Sequence, residues 1–241
     1  MRHAWLWLAL VACKQGTGDD YPINPGGDDT GDFHPMNDAP LADQSLTDSG
    51  GMITGRVCLL ADVRVPASCA ATGAGNIAVT LGAAGAMTAD DGMFSLVSPG
   101  GTGLVWSIGR ADLVPSVVPV TTSNILPIMT SVDYDDMLTT NGVILNAGEG
   151  ALVVHVRDAA GPLAGAGVTV TPSATYPAMH DTATKTVWVA GNTGPLGVSW
   201  TPGISSLQST ASVTVTPPTG AAQQLVLPIR DGAITFASVA F

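Results

Sequence analysis

The residues best equipped for acid–base chemistry are His180 and Asp181, adjacent in the loop Tyr176-Pro177-Ala178-Met179-His180-Asp181 and close in sequence to several threonine hydroxyls. A histidine steadied by a carboxylate can activate a hydroxyl or a water. That requires hydrogen-bond reach to the group being deprotonated and an orienting third group, and sequence neighbours seldom point at each other, so the dipeptide establishes neither. His155, between Val154 and Val156, has a strand-like setting and is expected to face solvent or fill a satisfied niche. No catalytic residue is expected. Binding is the alternative use of the same region. Sugars are gripped by exposed aromatic faces, and of Trp106, Trp188 and Trp200 the first and last lie in runs that read as buried strands. Trp188, with Tyr176 and His180, is therefore the candidate ligand-binding set.

Three further chemistries are weighed on residue type and spacing. Cys58 and Cys69 bracket a short loop, but a structural zinc wants four protein ligands and no histidine lies near them in sequence. The pairs Asp19-Asp20 and Asp28-Asp29 lack the Asp-x-Asp-x-Asp-Gly spacing that wraps calcium. Beyond residue 50 the only lysine is Lys185 and the only glutamate Glu149. An isopeptide cross-link promoted by a buried acid joins first and last strands, whereas Lys185 falls mid-domain, so none is expected. No metal and no cofactor are expected.

The first residues carry Arg2 and then the apolar run Trp5 to Ala12, which ends at Cys13. A cationic start, a short apolar stretch and small residues before the cysteine describe a secretion signal. The run is far short of the ~20 residues a spanning helix needs. Leu10-Val11-Ala12-Cys13 resembles the lipobox of bacterial lipoproteins, a family in which the cysteine is acylated and becomes the mature N-terminus. The resemblance implies a signal peptide over residues 1–12, lipidation at Cys13, and contact with the membrane through a lipid anchor, which holds firmly once two or more acyl chains are present. Family members without Asp after the cysteine commonly reach the outer membrane; Lys14 stands there, so an outer-membrane location in the cell envelope is expected. With Cys13 set aside, Cys58 and Cys69 remain as a pair, which in an oxidising compartment reads as a disulfide.

Composition sets the frame. Charged residues make up 11% and hydrophobic ones 46% of the 241 residues, and the net charge is −11. Eight scattered Lys and Arg cannot neutralise a phosphate backbone, so nucleic acid is not an expected partner, and anionic lipid head groups are equally disfavoured. Asp19, Asp20, Asp28, Asp29, Asp32, Asp38, Asp43 and Asp48 lie among Gly and Pro with little aliphatic periodicity. Residues 13–50 therefore read as a lipidated start followed by a disordered acidic tether, extended by its own charge.

From Gly51 the pattern changes to period two. Ile53, Gly55, Val57 and Leu59 alternate with Thr54, Arg56 and Cys58, and Ile77, Val79 and Leu81 follow suit. Asp90-Asp91-Gly92 reads as a tight turn before Phe94 to Val97, and one or two helical turns are expected around Asp133 to Leu138. The second half repeats the first: Leu152 to Arg157, a turn, then Gly165-Ala166-Gly167 leading into an apolar strand as Gly73-Ala74-Gly75 does earlier, with Gly194 to Gly197 in place of the Asp90 turn. The run Val156 to Val168 and the run Thr88 to Leu96 resemble the two hallmarks of carboxypeptidase regulatory-like domains. That resemblance covers most of residues 51–241 and implies seven-stranded, transthyretin-like sandwiches that are mostly non-enzymatic modules.

The expected fold is all-β: two tandem Ig-like or transthyretin-like β-sandwiches over residues 51–140 and 141–241. The transthyretin-like hydrolases of purine breakdown end in Tyr-Arg-Gly-Ser, whereas Ser238-Val239-Ala240-Phe241 stands here. An outer-membrane barrel needs longer strands and aromatic girdles. The expected function is that of a non-enzymatic, lipid-anchored envelope protein presenting β-sandwich domains in structural or protein-interaction roles. The alternatives are binding of a carbohydrate or cell-wall polymer, and service as a hydrolase accessory domain.

Overall fold

The computed structural model describes residues 50–66, 68–121 and 123–241. The signal peptide, Cys13 and the acidic tether lie outside the described residues. Those described belong to one compact unit. The first half contributes β1 (Met52–Leu59), β2 (Ala78–Leu81), β3 (Ala84–Met87), β4 (Met93–Val97), β5 (Val105–Gly109), β6 (Ser116–Pro119) and β7 (Ile125–Ile128), followed by α1 (Ser131–Thr140). The second half contributes β8 (Glu149–Asp158), β9 (Gly161–Pro162), β10 (Gly167–Thr171), β11 (Met179–Asp181), β12 (Trp188–Ala190), β13 (Val198–Ser205), β14 (Thr210–Thr216), β15 (Gln223–Pro228) and β16 (Ile234–Ala240).

Alternation explains the strands. In β4, Phe94 and Leu96 are buried while Met93, Ser95 and Val97 are exposed, the period-two pattern of a sheet with one face on a core. Each half is a sandwich. In the first, β4-β1-β7 packs over β3-β2-β5-β6, enclosing Val57, Ile77, Val79, Phe94, Trp106 and Leu126. In the second, β13-β8-β16 packs over β10-β14-β15, enclosing Leu152, Val154, Ile204, Val213 and Val239. Among the described residues the first half has seven strands and the second nine.

The repetition extends to single hydrogen bonds. Val57 N–H donates to Gly92 O at 2.8 Å, and Val156 N–H donates to Gly197 O at 2.7 Å. Thr88 Oγ1 donates to Ala74 O and accepts from Ile77 N; Thr193 Oγ1 donates to Leu163 O and accepts from Ala166 N. Both turn glycines have positive φ, +82° at Gly92 and +66° at Gly197, and a Cβ at either would sit 2.6 or 2.3 Å from the carbonyl oxygen of the matching valine. Glycine is thus required twice at the same place in the repeat.

The halves are less separate than the sequence suggests. β16 pairs with β8 along one edge and, in parallel, with β6 along the other, through Ile234↔Ser116 and Thr235↔Val117. One sheet therefore runs from the first sandwich into the second, and the expected boundary near residue 140 falls at the end of α1 with no break in packing. That helix is also longer than expected, ten residues. Thr130 caps it by accepting from Asp133 N at 3.0 Å, and Tyr134 and Met137 are its buried residues.

Cys58 and Cys69 form a disulfide across a separation of 11 residues. The loop it closes is a clasp between the halves. Arg64, 6% exposed, is held by both Asp62 oxygens at 3.0 and 2.8 Å and donates across to Thr182 O at 2.8 Å. Lys185 Nζ donates to Ala61 O from the other side. Burial alone would raise the Asp62 carboxyl, but Arg64 overrides it and holds it below the usual range. Replacing both cysteines by serine is expected to lower stability by about 2–3 kcal/mol through the freed loop. Hydrogen exchange should then speed up in β11 and β12, the strands the clasp holds; unchanged exchange there would remove the clasp role.

Candidate functional site

The residues singled out in the sequence gather around β11, β12 and β13, but they do not form a reactive site. Consecutive residues on a strand point to opposite faces, so His180 and Asp181 diverge. His180 is buried, and its Nδ1 has no partner. Desolvation holds its pKa below the ordinary histidine value, with the Asp181 charge and the Gly191 backbone pulling the other way. The Asp181 carboxylate accepts three backbone donors: Gly194 N at 2.9 Å and Val198 N at 2.7 Å on Oδ1, and Leu196 N at 2.7 Å on Oδ2. It is the organiser of the Gly194 to Gly197 turn. A carboxylate with its lone pairs so engaged is poorly placed to orient a base.

His155 fills a buried place on the outer face of β8. It pairs with Val198 on one side and Ser238 on the other. Burial lowers its pKa to about 4, against an opposing pull from Asp181, so the ring is neutral near pH 7. Among the described residues no group of three or more His, Cys, Asp or Glu is arranged to hold a metal ion.

Trp188 corrects an expectation. It is 5% exposed rather than open, stacked edge-on against Trp200 at 5.6 Å, and Trp200 meets Tyr134 of α1 at 6.4 Å. Asn141 fixes it further, accepting from Trp188 N at 3.1 Å. Trp106 and Trp200 are fully buried as expected. Tyr176, half-buried, uses its hydroxyl on the Ile144 backbone at both N and O. None of the three tryptophans offers a ring face to a sugar. The cross-link chemistry fares no better: Lys185 is engaged by the clasp, and Glu149 accepts from Asn146 N and Thr175 Oγ1. Those two contacts hold its carboxyl below the ordinary range.

The feature sequence reasoning missed is a surface. Counting from the matched Val57 and Val156, Met52 corresponds to Ala151 and Thr54 to Val153. On the second half the outer face of β13-β8-β16, made by Ala151, Val153, Val198, Trp200, Ile234 and Phe236, is buried beneath α1 and Trp188. On the first half the corresponding face of β4-β1-β7 is open. Met52 is 64% exposed, Val97 53%, Met93 44% and Ile125 55%. The register sets Met52 beside Val97, and Arg56 between Met93 and Ile125. The signal lay in the outward positions of β4 and at the start of β1, where Met93, Val97 and Met52 stand beside Ser95 and Thr54.

No family model matches the chain, and no curated protein matches it. Among solved structures it is similar to the Bacillus anthracis TIE protein at 15% identity and a TM-score of 0.25, over 80% of this chain and 34% of that one. It is also similar to the shaft pilin SpaA from Lactobacillus rhamnosus GG, at 11% identity and a TM-score of 0.26, over 80% of this chain and 98% of that one. The chain thus spans about a third of the length of the TIE protein. The β-sandwich assignment rests on the chain's own register and packing.

Proposed function

We propose that this is a non-catalytic, lipid-anchored envelope protein whose first sandwich docks another envelope protein on the outer face of β4-β1-β7. The observation that carries the reading is the open apolar face of Met52, Met93, Val97 and Ile125, set against its buried counterpart on the second half. Exposed apolar patches of this kind mark interaction sites. Arg56 at the centre of the face favours a partner that combines apolar side chains with a carboxylate. A protein partner is favoured over a polysaccharide because the three tryptophans beyond the first dozen residues are buried. Anchorage rests on the lipobox-like Leu10-Val11-Ala12-Cys13, and outer-membrane placement on Lys14.

Site-specific photo-crosslinking in living cells tests the docking face. A probe at Met93 or Ile125 is expected to trap one envelope protein, while the same probe at Val226, more exposed than either on β15, is not. Adducts at Met93 and Ile125 no stronger than at Val226 would end the docking reading. A radioactive fatty acid should label the wild type and not Cys13→Ser; an unlabelled wild type would end the anchoring.

A further inference from the structure

We infer that the chain is built to carry tension between its two ends. This goes beyond the docking role and does not depend on lipidation. The argument is topological. Tension applied to the ends enters the first half at β1 and leaves it through β7; it enters the second half at β8 and leaves it through β16. In both halves these first and last strands are neighbours and parallel.

Two parallel strands pulled from the start of one and the end of the other slide along their common axis. Every hydrogen bond between them is then loaded at once. An antiparallel pair pulled at one shared end opens like a zipper, one bond at a time, and each bond alone is worth only about 1 kcal/mol net. The first half places four residue pairs in shear, Arg56↔Ile125 to Leu59↔Ile128. Its ladder continues at both ends, through Arg56 N to Asn124 O at 2.9 Å and Leu60 N to Ile128 O at 2.8 Å. The second half places seven, Ile234↔Ala151 to Ala240↔Arg157. That ladder is closed by Ala151 N to Ala233 O at 2.9 Å and Phe241 N to Arg157 O at 3.0 Å.

The connection between the halves is reinforced in the same sense. The tension path crosses α1, whose buried Tyr134 packs against Trp200 of the second half. Bridging that path are the β6–β16 pairing and the Arg64 to Thr182 bond of the disulfide clasp. Load drawn from one end of the fold to the other thus meets a sheared parallel pair in each half and a braced link between them.

Single-molecule pulling tests the inference, using the full-length chain with Cys13→Ser so that acylation plays no part. One molecule type is held by its two ends. A second is held by probes replacing Ala147 and Leu207, both exposed and both at the shared end of the antiparallel β8 and β13, where Ser205 pairs with Glu149. End-to-end pulling is expected to rupture the second half at a force ~3-fold or more above the zipper geometry, since forced unfolding reads the barrier along the pulled direction. Equal forces in the two geometries, or a lower force end to end, would overturn it. Both molecules must first show the same tryptophan fluorescence and urea midpoint, so that a misfolded variant cannot imitate the low-force result.

Discussion

Asp181→Ala is expected to lower the stability of the protein by about 3–5 kcal/mol, because it strands three backbone donors, one buried and two partly buried, that one carboxylate now satisfies. The Gly194, Leu196 and Val198 amides converge on Asp181 at 2.7–2.9 Å. Hydrogen bonds to a charged acceptor are stronger than neutral ones, and loss of the acceptor leaves the donors with nothing in place of water. Asp181→Asn is the informative companion. Its single carbonyl can keep Gly194 and Val198, but its amide then faces the Leu196 N–H, donor against donor, so it should fall roughly halfway. Urea unfolding followed by tryptophan fluorescence measures both, since Trp188 and Trp200 lie beside this turn. If alanine and asparagine both unfold at the wild-type midpoint, Asp181 is not what holds the turn.

Asp181 also shows where the sequence could be read and where it could not. Alternation made β1, β2 and β4 legible because period two is a local property of the chain, while β8, buried on both faces, was legible only as a repeat of the first half. The disulfide was legible from cysteine arithmetic, and the Gly92 and Gly197 turns from their place in the repeat. The His180-Asp181 pair could be suspected but not interpreted, because the partners of Asp181 lie 13 to 17 residues further on in backbone amides, which have no residue type to read. Trp188 was misjudged for a related reason. Thr186-Val187-Trp188-Val189 alternates, but only the edge-on packing of Trp188 against Trp200 and the reach of Asn141 decide which side faces in. The shared sheet was hidden altogether: β6 and β16 stand more than a hundred residues apart and join through a two-residue parallel contact that leaves no periodic trace. The helix outruns the stretch from Asp133 to Leu138 because Thr130 caps it through the Asp133 amide three residues on, a start signal that the sequence also carries.

The protein is also expected to lose stability on mild acidification, well before its carboxylates titrate. His155 is buried and its pKa is lowered to about 4 from an ordinary 6.5. A histidine whose folded pKa lies below its unfolded one is protonated more readily in the unfolded chain. Its contribution is therefore fully present above about pH 6.5 and is lost as pH falls from there towards about 4. A shift of that size corresponds to roughly 3 kcal/mol across the window. His180, lowered in the same direction by its own burial, steepens the fall. Glu149 and Asp62, both held low by their partners, add their losses only at the acid end. The stability measured by urea at steps from pH 7.5 to 4.5 should thus decline with a slope approaching about 1 kcal/mol per pH unit, near the limit of 1.4 for one proton. His155→Gln, which cannot take up a proton, should flatten most of that slope whatever it does to the stability at pH 7.5. A wild-type profile level between pH 6.5 and 4.5, or a glutamine variant as steep as the wild type, would mean that the buried ring at His155 does not set the acid response.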